Sequence, residues 1–257
     1  MIIDAHAHFA EQSVAVLDPS LERCLATMDR LGIDCMIQSF GKALGHGRYS
    51  DFERYTEESC ELYEKSGKRI YSYFFYNPHM SDFCVRMIED NTDLPAFVGI
   101  KLHPAINNVF ADDEAYRPAY ESARKFGLPV LSHTWALTSN PSQKYAVPEL
   151  FEKYIREFPD VSFIFGHSGG RVNGIREALE IGKRYKNAFY DLAGDIYDRG
   201  LVEYIAGGVG AERLLFGSDL CWFDPAAQMG MILGANLTTE EKALILGGNA
   251  ARLFRIP

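Results

Sequence analysis

Met1-Ile2-Ile3-Asp4-Ala5-His6-Ala7-His8-Phe9 decides how the rest of the chain is read. A short apolar run turns polar at its end, where two histidines stand one residue apart. In an extended strand, residues two apart point to the same face at about 6.6–7 Å spacing. Both imidazoles can then converge on one ion if the strand ends at the rim of a site. A lone His-x-His is weak evidence, so the remaining ligands have to come from elsewhere in the chain.

Moving outward, short apolar runs alternate with amphipathic segments to the end of the sequence. The strands are expected at Met1–Ala5, Ile33–Phe40, Ile70–Tyr76, Phe97–Leu102, Pro129–Ser132, Val161–Phe165, Ala188–Leu192 and Leu214–Phe216. Between them, helices are expected at Leu21–Leu31, Phe52–Lys68, Ser81–Asn91, Asp113–Phe126, Val147–Phe158, Arg171–Tyr185 and Leu201–Ile205. Gly32 reads as a helix stop, Ser81 as an N-cap, and Asp224-Pro225 as an N-cap with the first helical residue. The tail from Ala226 to Phe254 reads as helical, with breaks at Gly234 and Gly247-Gly248. Eight strands alternating with helices over residues 1–257, with no linker or repeat, predict one domain: an α/β protein of the (β/α)8 TIM-barrel type. A doubly wound open sheet is the rival, but no Gly-x-Gly-x-x-Gly or Walker-type loop follows any strand. In a barrel, active-site residues lie at the C-terminal ends of the strands.

The 257 residues are 47% hydrophobic, enough for a sizeable core, and a net charge of −9 argues against nucleic acid or an anionic membrane as partner. The five cysteines, Cys24, Cys35, Cys60, Cys84 and Cys221, are odd in number and form no Cys-x-x-Cys, which predicts reduced thiols and a cytoplasmic setting. No leader-like opening is seen, and no apolar run reaches the ~18–20 residues of a membrane span.

Five of the seven histidines fall at strand C-termini: His6, His8, His103, His133 and His167. Lys101 and Asp219 stand at the same end of their strands, as does Asp191. A barrel brings these ends together, so the set points to one polar site although each member alone is more simply a hydrogen-bonded core residue. The pieces that carry this pattern are Asp4-Ala5-His6-Ala7-His8, Gly99-Ile100-Lys101-Leu102-His103-Pro104, Leu128–Thr134, Phe165-Gly166-His167-Ser168-Gly169-Gly170, Leu214–Asp219 and the tail Glu240–Phe254. In that order they resemble the amidohydrolase superfamily, most closely its amidohydrolase-related branch, which includes metal-dependent hydrolases and decarboxylases.

The resemblance implies that His6, His8, His133 and Asp219 hold a divalent metal, zinc being the expected ion. It implies that Asp219 and His167 act as acid/base groups. Metal-activated water would then attack an amide, ester or lactone of a small carboxylated molecule; non-oxidative decarboxylation or hydration is the alternative on the same scaffold. Lys101-Leu102-His103-Pro104 is similar to the segment that in dihydroorotase-like relatives bears a carbamylated lysine between two metals. A second ion would add Lys101 and His167 to the ligands; with one ion, Lys101 stays a cation for a substrate carboxylate. The resemblance also allows a homodimer.

Other substrate contacts are thinner in the sequence. Arg48, in Gly45-His46-Gly47-Arg48, can pair a carboxylate or simply be a solvated loop charge. Trp135 and Trp222 can wall a flat substrate or pack the barrel rim. His103 is either a substrate contact or a packing residue at the start of a helix, and Asp195 can orient a ligand. A deoxyribonuclease-like enzyme is disfavoured, since Lys101 stands where those relatives carry glutamate. A catalytically silent metal-binding scaffold is the non-enzyme alternative.

Overall fold

A computed structural model describes residues 1–9, 20–39, 49–220 and 222–257. Its elements run β1 (Ile3–Ala7), α1 (Leu21–Leu31), β2 (Cys35–Gln38), α2 (Tyr49–Lys65), β3 (Ile70–Phe75), α3 (Ser81–Asn91), β4 (Phe97–Leu102), α4 (Pro104–Asn107), α5 (Arg117–Phe126), β5 (Val130–His133), α6 (Pro148–Glu157), β6 (Phe163–Gly166), α7 (Val172–Arg184), β7 (Ala188–Asp191), α8 (Leu201–Val209), β8 (Leu214–Leu215), α9 (Pro225–Gly234), α10 (Thr239–Ala243) and α11 (Asn249–Phe254). The strands lie in sequence order and every neighbouring pair is parallel. The first and last strands meet through Ala5 N–H donating to the Phe216 carbonyl (2.9 Å) and Asp219 N–H donating to the His6 carbonyl (2.8 Å). The expected (β/α)8 barrel is the observed fold.

Strands covered on both faces need continuous apolar runs, and β3 and β6 are buried at every position. Inside the barrel, the Tyr73 hydroxyl donates to the Ala5 carbonyl at 2.6 Å. Its ring lies over Gly99, where an added Cβ would come within 2.9 Å of it. Tyr73 thus plugs the barrel below Lys101, which stands two residues further along β4. Local signals act as expected at several ends. Gly32 closes α1 at φ 69°, and the Asp224 side chain accepts from Ala226 N–H to start α9.

Other expectations are corrected. β1 begins and ends two residues later than expected, because its pairing with β2 starts at Ile3 opposite Cys35 and reaches Ala7 opposite Gln38. The helix expected from Phe52 begins at Tyr49, and the one expected to end at Ile205 continues through Gly207-Gly208 to Val209. Ser81 is not an N-cap. A 3-10 turn, Pro78–Met80, capped by Asn77, precedes α3, and the Ser81 hydroxyl accepts from Tyr76 instead. Gly234 ends a helix as expected, but Gly247-Gly248 is no break. It lies in a π-helical turn, Leu244–Gly248, that runs into α11. Gly247 is required there because a Cβ would collide with the Met1 carbonyl. Among the described residues, no helix is long and apolar enough to cross a membrane.

Gly174 on α7 packs against the Gly169 carbonyl so closely that a Cβ has no room. Gly174→Ala should therefore destabilise the protein by about 1–3 kcal/mol, read as a lower urea midpoint at unchanged m-value. An unaltered midpoint would mean that α7 and the turn after β6 separate freely.

Candidate metal centre and pocket

The strand ends deliver their polar side chains to one place. His6 Nδ1 lies 2.8 Å from Asp191 Oδ2, so with the carboxylate accepting, the Nε2 lone pair of His6 turns into the site. His8 Nδ1 lies 3.0 Å from the Ser39 carbonyl, which leaves its Nε2 facing Asp219 Oδ1, also at 3.0 Å. His167 Nδ1 lies 3.2 Å from the Ala193 carbonyl, which again leaves Nε2 to the site. Donor atoms of His6, His167 and Asp219 come within 4.8 Å of one another. These three imidazoles each spend their N–H on an outer partner, and their lone pairs converge with a carboxylate. Such a donor set is complementary to a cation, and it fits a divalent metal.

The electrostatics agree. Burial, then the field of Lys101, holds His6 well below the usual imidazole range. Burial and the neighbouring His167 bring His133 down to about 3. For Asp219, burial pushes the carboxyl up. The close approach of His8 and the fields of His167 and His6 outweigh it and keep the group ionised. Lys101 is fully buried and its Nζ sits 2.7 Å from His6 Nε2. Burial brings it down to about 8, against the pull of Asp191 and Asp219.

The backbone here is held in an uncommon conformation. His167, Ser168 and Asp219 have φ of 59°, 52° and 62°. Non-glycine residues in this region cost about 1–2 kcal/mol each. The strain at Asp219 is held by its N–H bond to the His6 carbonyl, and Asp4 takes the Ser218 N–H at 3.0 Å and the Ser218 hydroxyl.

A pocket of about 400 Å³ opens onto this cluster, lined among others by Lys101, His103, Trp135, Asp195, Trp222 and Phe223. His103 takes the place expected of a residue at the start of a helix, and it also lines the pocket. Its side chain accepts from Ile106 N–H to start α4, and its ring stacks on His133 at 4.2 Å and 8°. His133 stands apart from the tight trio. Its Nδ1 is 3.1 Å from His167 Nε2, and its Nε2 is 3.0 Å from the Gln143 amide oxygen. Arg48 lies outside the described residues.

Three participants were not given roles from sequence. Asp191 was visible as a charge inside an apolar strand, the same signal that marked Lys101. Gln143 lies in a 3-10 turn, Pro141–Tyr145, with no motif, and Gly194 is needed because a Cβ would come within 2.9 Å of His167 Nδ1.

The amidohydrolase family model matches residues 3–256. No curated protein matches the sequence significantly. Among solved structures, 2,6-dihydroxybenzoate decarboxylase from Rhizobium has a TM-score of 0.78 at 17% identity, over 99% of this chain and 98% of that one. A 5-carboxyvanillate decarboxylase from Novosphingobium aromaticivorans, complexed with manganese and 4-hydroxy-3-methoxy-5-nitrobenzoic acid, has a TM-score of 0.81 at 13% identity, over 100% and 96%. A putative amidohydrolase from Staphylococcus aureus has a TM-score of 0.80 at 14% identity, over 99% of each chain. At these identities the likeness is one of fold.

Proposed function

The chain belongs to the amidohydrolase family of enzymes, and on that footing we propose that it decarboxylates a small carboxylated aromatic molecule without oxidation, with one divalent metal. The observation that carries this reading is the ring-walled pocket, with Trp135, Trp222, His103 and Phe223 around a buried lysine and the His6, His8, Asp219 cluster. Flat apolar walls favour an aromatic ring and exclude water, and Lys101 supplies a positive charge on the lining for a carboxylate. Decarboxylases with carboxylated aromatic ligands among the similar folds support the same reading.

His6, His8 and Asp219 would hold the metal, with His133 completing the set and His167 left free of it. When bound, it would act as a Lewis acid on substrate oxygens, and zinc and manganese both suit these donors. Asp191 and the Ser39 carbonyl would keep His6 and His8 in the ligating tautomer. In this reading His167 would exchange protons through Nε2, since its Nδ1 faces the Ala193 carbonyl, and would protonate the ring carbon that loses carbon dioxide. Hydrolysis of an amide, ester or lactone is the second reading, favoured by the ionised Asp219, which can take a proton from water.

The test is carbon dioxide release from a panel of hydroxybenzoates by protein loaded with manganese or zinc, alongside lactone and amide hydrolysis. Stoichiometric metal and chelator-sensitive release that is lost in His167→Ala would support decarboxylation. Lactone or amide turnover alone would select hydrolysis. Bound metal with neither activity would select the silent scaffold.

A further inference from the structure

Two carboxylates line the pocket, Asp219 in the cluster and Asp195 near the end of β7. Asp195 carries its own counter-ion. Arg171, on the turn between His167 and α7, donates from Nη2 to Asp195 Oδ2 at 2.7 Å, with Nη1 3.5 Å from the Asp195 carbonyl. The same guanidinium lies 5.0 Å over the Trp135 ring. Trp135 is parallel to His133 within 3° at 5.9 Å, and His133 stacks on His103. Gly170 permits this, because a Cβ there would meet the Trp135 ring at 2.7 Å. Arg171 therefore caps a wall of three rings and cancels the outer acid, without itself lining the pocket.

The pair is about half exposed, with side-chain accessibilities of 47% and 39%. Exposed pairs add little stability, so its worth to the fold is small. Its worth to a ligand differs. The chain carries a net charge of −9, and an unpaired Asp195 would put one more negative charge at the pocket that an anion has to enter. We propose that Arg171 determines specificity for anionic ligands, by neutralising Asp195 so that a carboxylate can reach the ring-walled pocket. The substrate class rests on the function proposed above; the charge balance does not.

The chain has only two tryptophans, and both line this pocket. In a Trp222→Phe background, Trp135 alone reports quenching by iodide, an anion, and by acrylamide, which is neutral. Adding Arg171→Met should lower the iodide constant about two- to fivefold at low ionic strength, with the acrylamide constant unchanged. Arg171→Lys should stay near the background protein, and Arg171→Met combined with Asp195→Asn should return to it. Parallel changes for both quenchers, or no rescue in the double variant, would overturn the proposal and leave Arg171 as a brace for Trp135. A second measurement uses metal-loaded protein with 2,6-dihydroxybenzoate and its uncharged counterpart resorcinol. Arg171→Met should weaken the anion by a similar factor and spare resorcinol; equal loss for both would count against the charge role. The expected iodide pattern in a protein that does not bind 2,6-dihydroxybenzoate would support the assignment of Arg171 while defeating the proposed substrate class.

Discussion

Asp219→Asn should remove bound metal and cut kcat/KM by at least on the order of 10²-fold, the lower end of what a lost acid/base group costs. Asparagine is the informative replacement. Asp219 sits at φ 62°, a region that asparagine enters readily, so the backbone can keep its bonds to β1. The negative charge facing His8 Nε2 is what disappears. Metal content by elemental analysis and steady-state kinetics on the same sample would separate the two effects. Full turnover with full metal would show that Asp219 takes no part in the chemistry.

Asp191→Ala should be nearly as damaging, although Asp191 does not line the pocket. Its Oδ1 accepts from His167 N–H at 2.8 Å and from Ala193 N–H at 3.0 Å, and its Oδ2 faces His6 Nδ1. Alanine orphans two buried donors, at about 1–3 kcal/mol each. It also frees the His6 tautomer, which should lower metal affinity by about 10–100-fold. Asp191→Asn separates these effects. Its amide oxygen can still accept from the backbone, while its NH2 faces His6 Nδ1 and drives the proton to Nε2, the nitrogen needed for ligation. Stability should be largely kept in asparagine and lost in alanine, with metal binding weakened in both. Equal metal affinity in wild type and Asp191→Asn would show that Asp191 does not set the tautomer.

Much of this was legible because barrel strands are apolar and any polar residue at their ends stands out. His6, His8, Lys101, His133, His167 and Asp219 all showed that signal, and the structure brings them to one end of the barrel. What pattern could not give was the pairing between them. The resemblance grouped His133 with His6, His8 and Asp219, whereas the tightest trio contains His167, and His133 lies against it. Arg171 followed a recognisable glycine pair, but its partners Asp195 and Trp135 come from two other strand ends. Gly247-Gly248 misread as a helix break because glycine propensity is local, while the need for room beside Met1 is not. Ser81 failed as a cap for a similar reason: the Asn77-Pro78 pair began a turn of its own.

The bonds between β1 and the last strand have a consequence for how the protein is made. His6 and Asp219 come from opposite ends of the sequence, yet face each other across the line where the sheet closes on itself. A nascent chain would lack Asp219 until the segment after β8 has been synthesised, and only the closed barrel would bring it to His6. An ion bound there would fasten the closure, because opening the barrel between its first and last strands would also pull His6 and Asp219 apart. Metal-free protein should accordingly exchange its amide hydrogens fastest along that line, and metal should slow exchange there more than anywhere else.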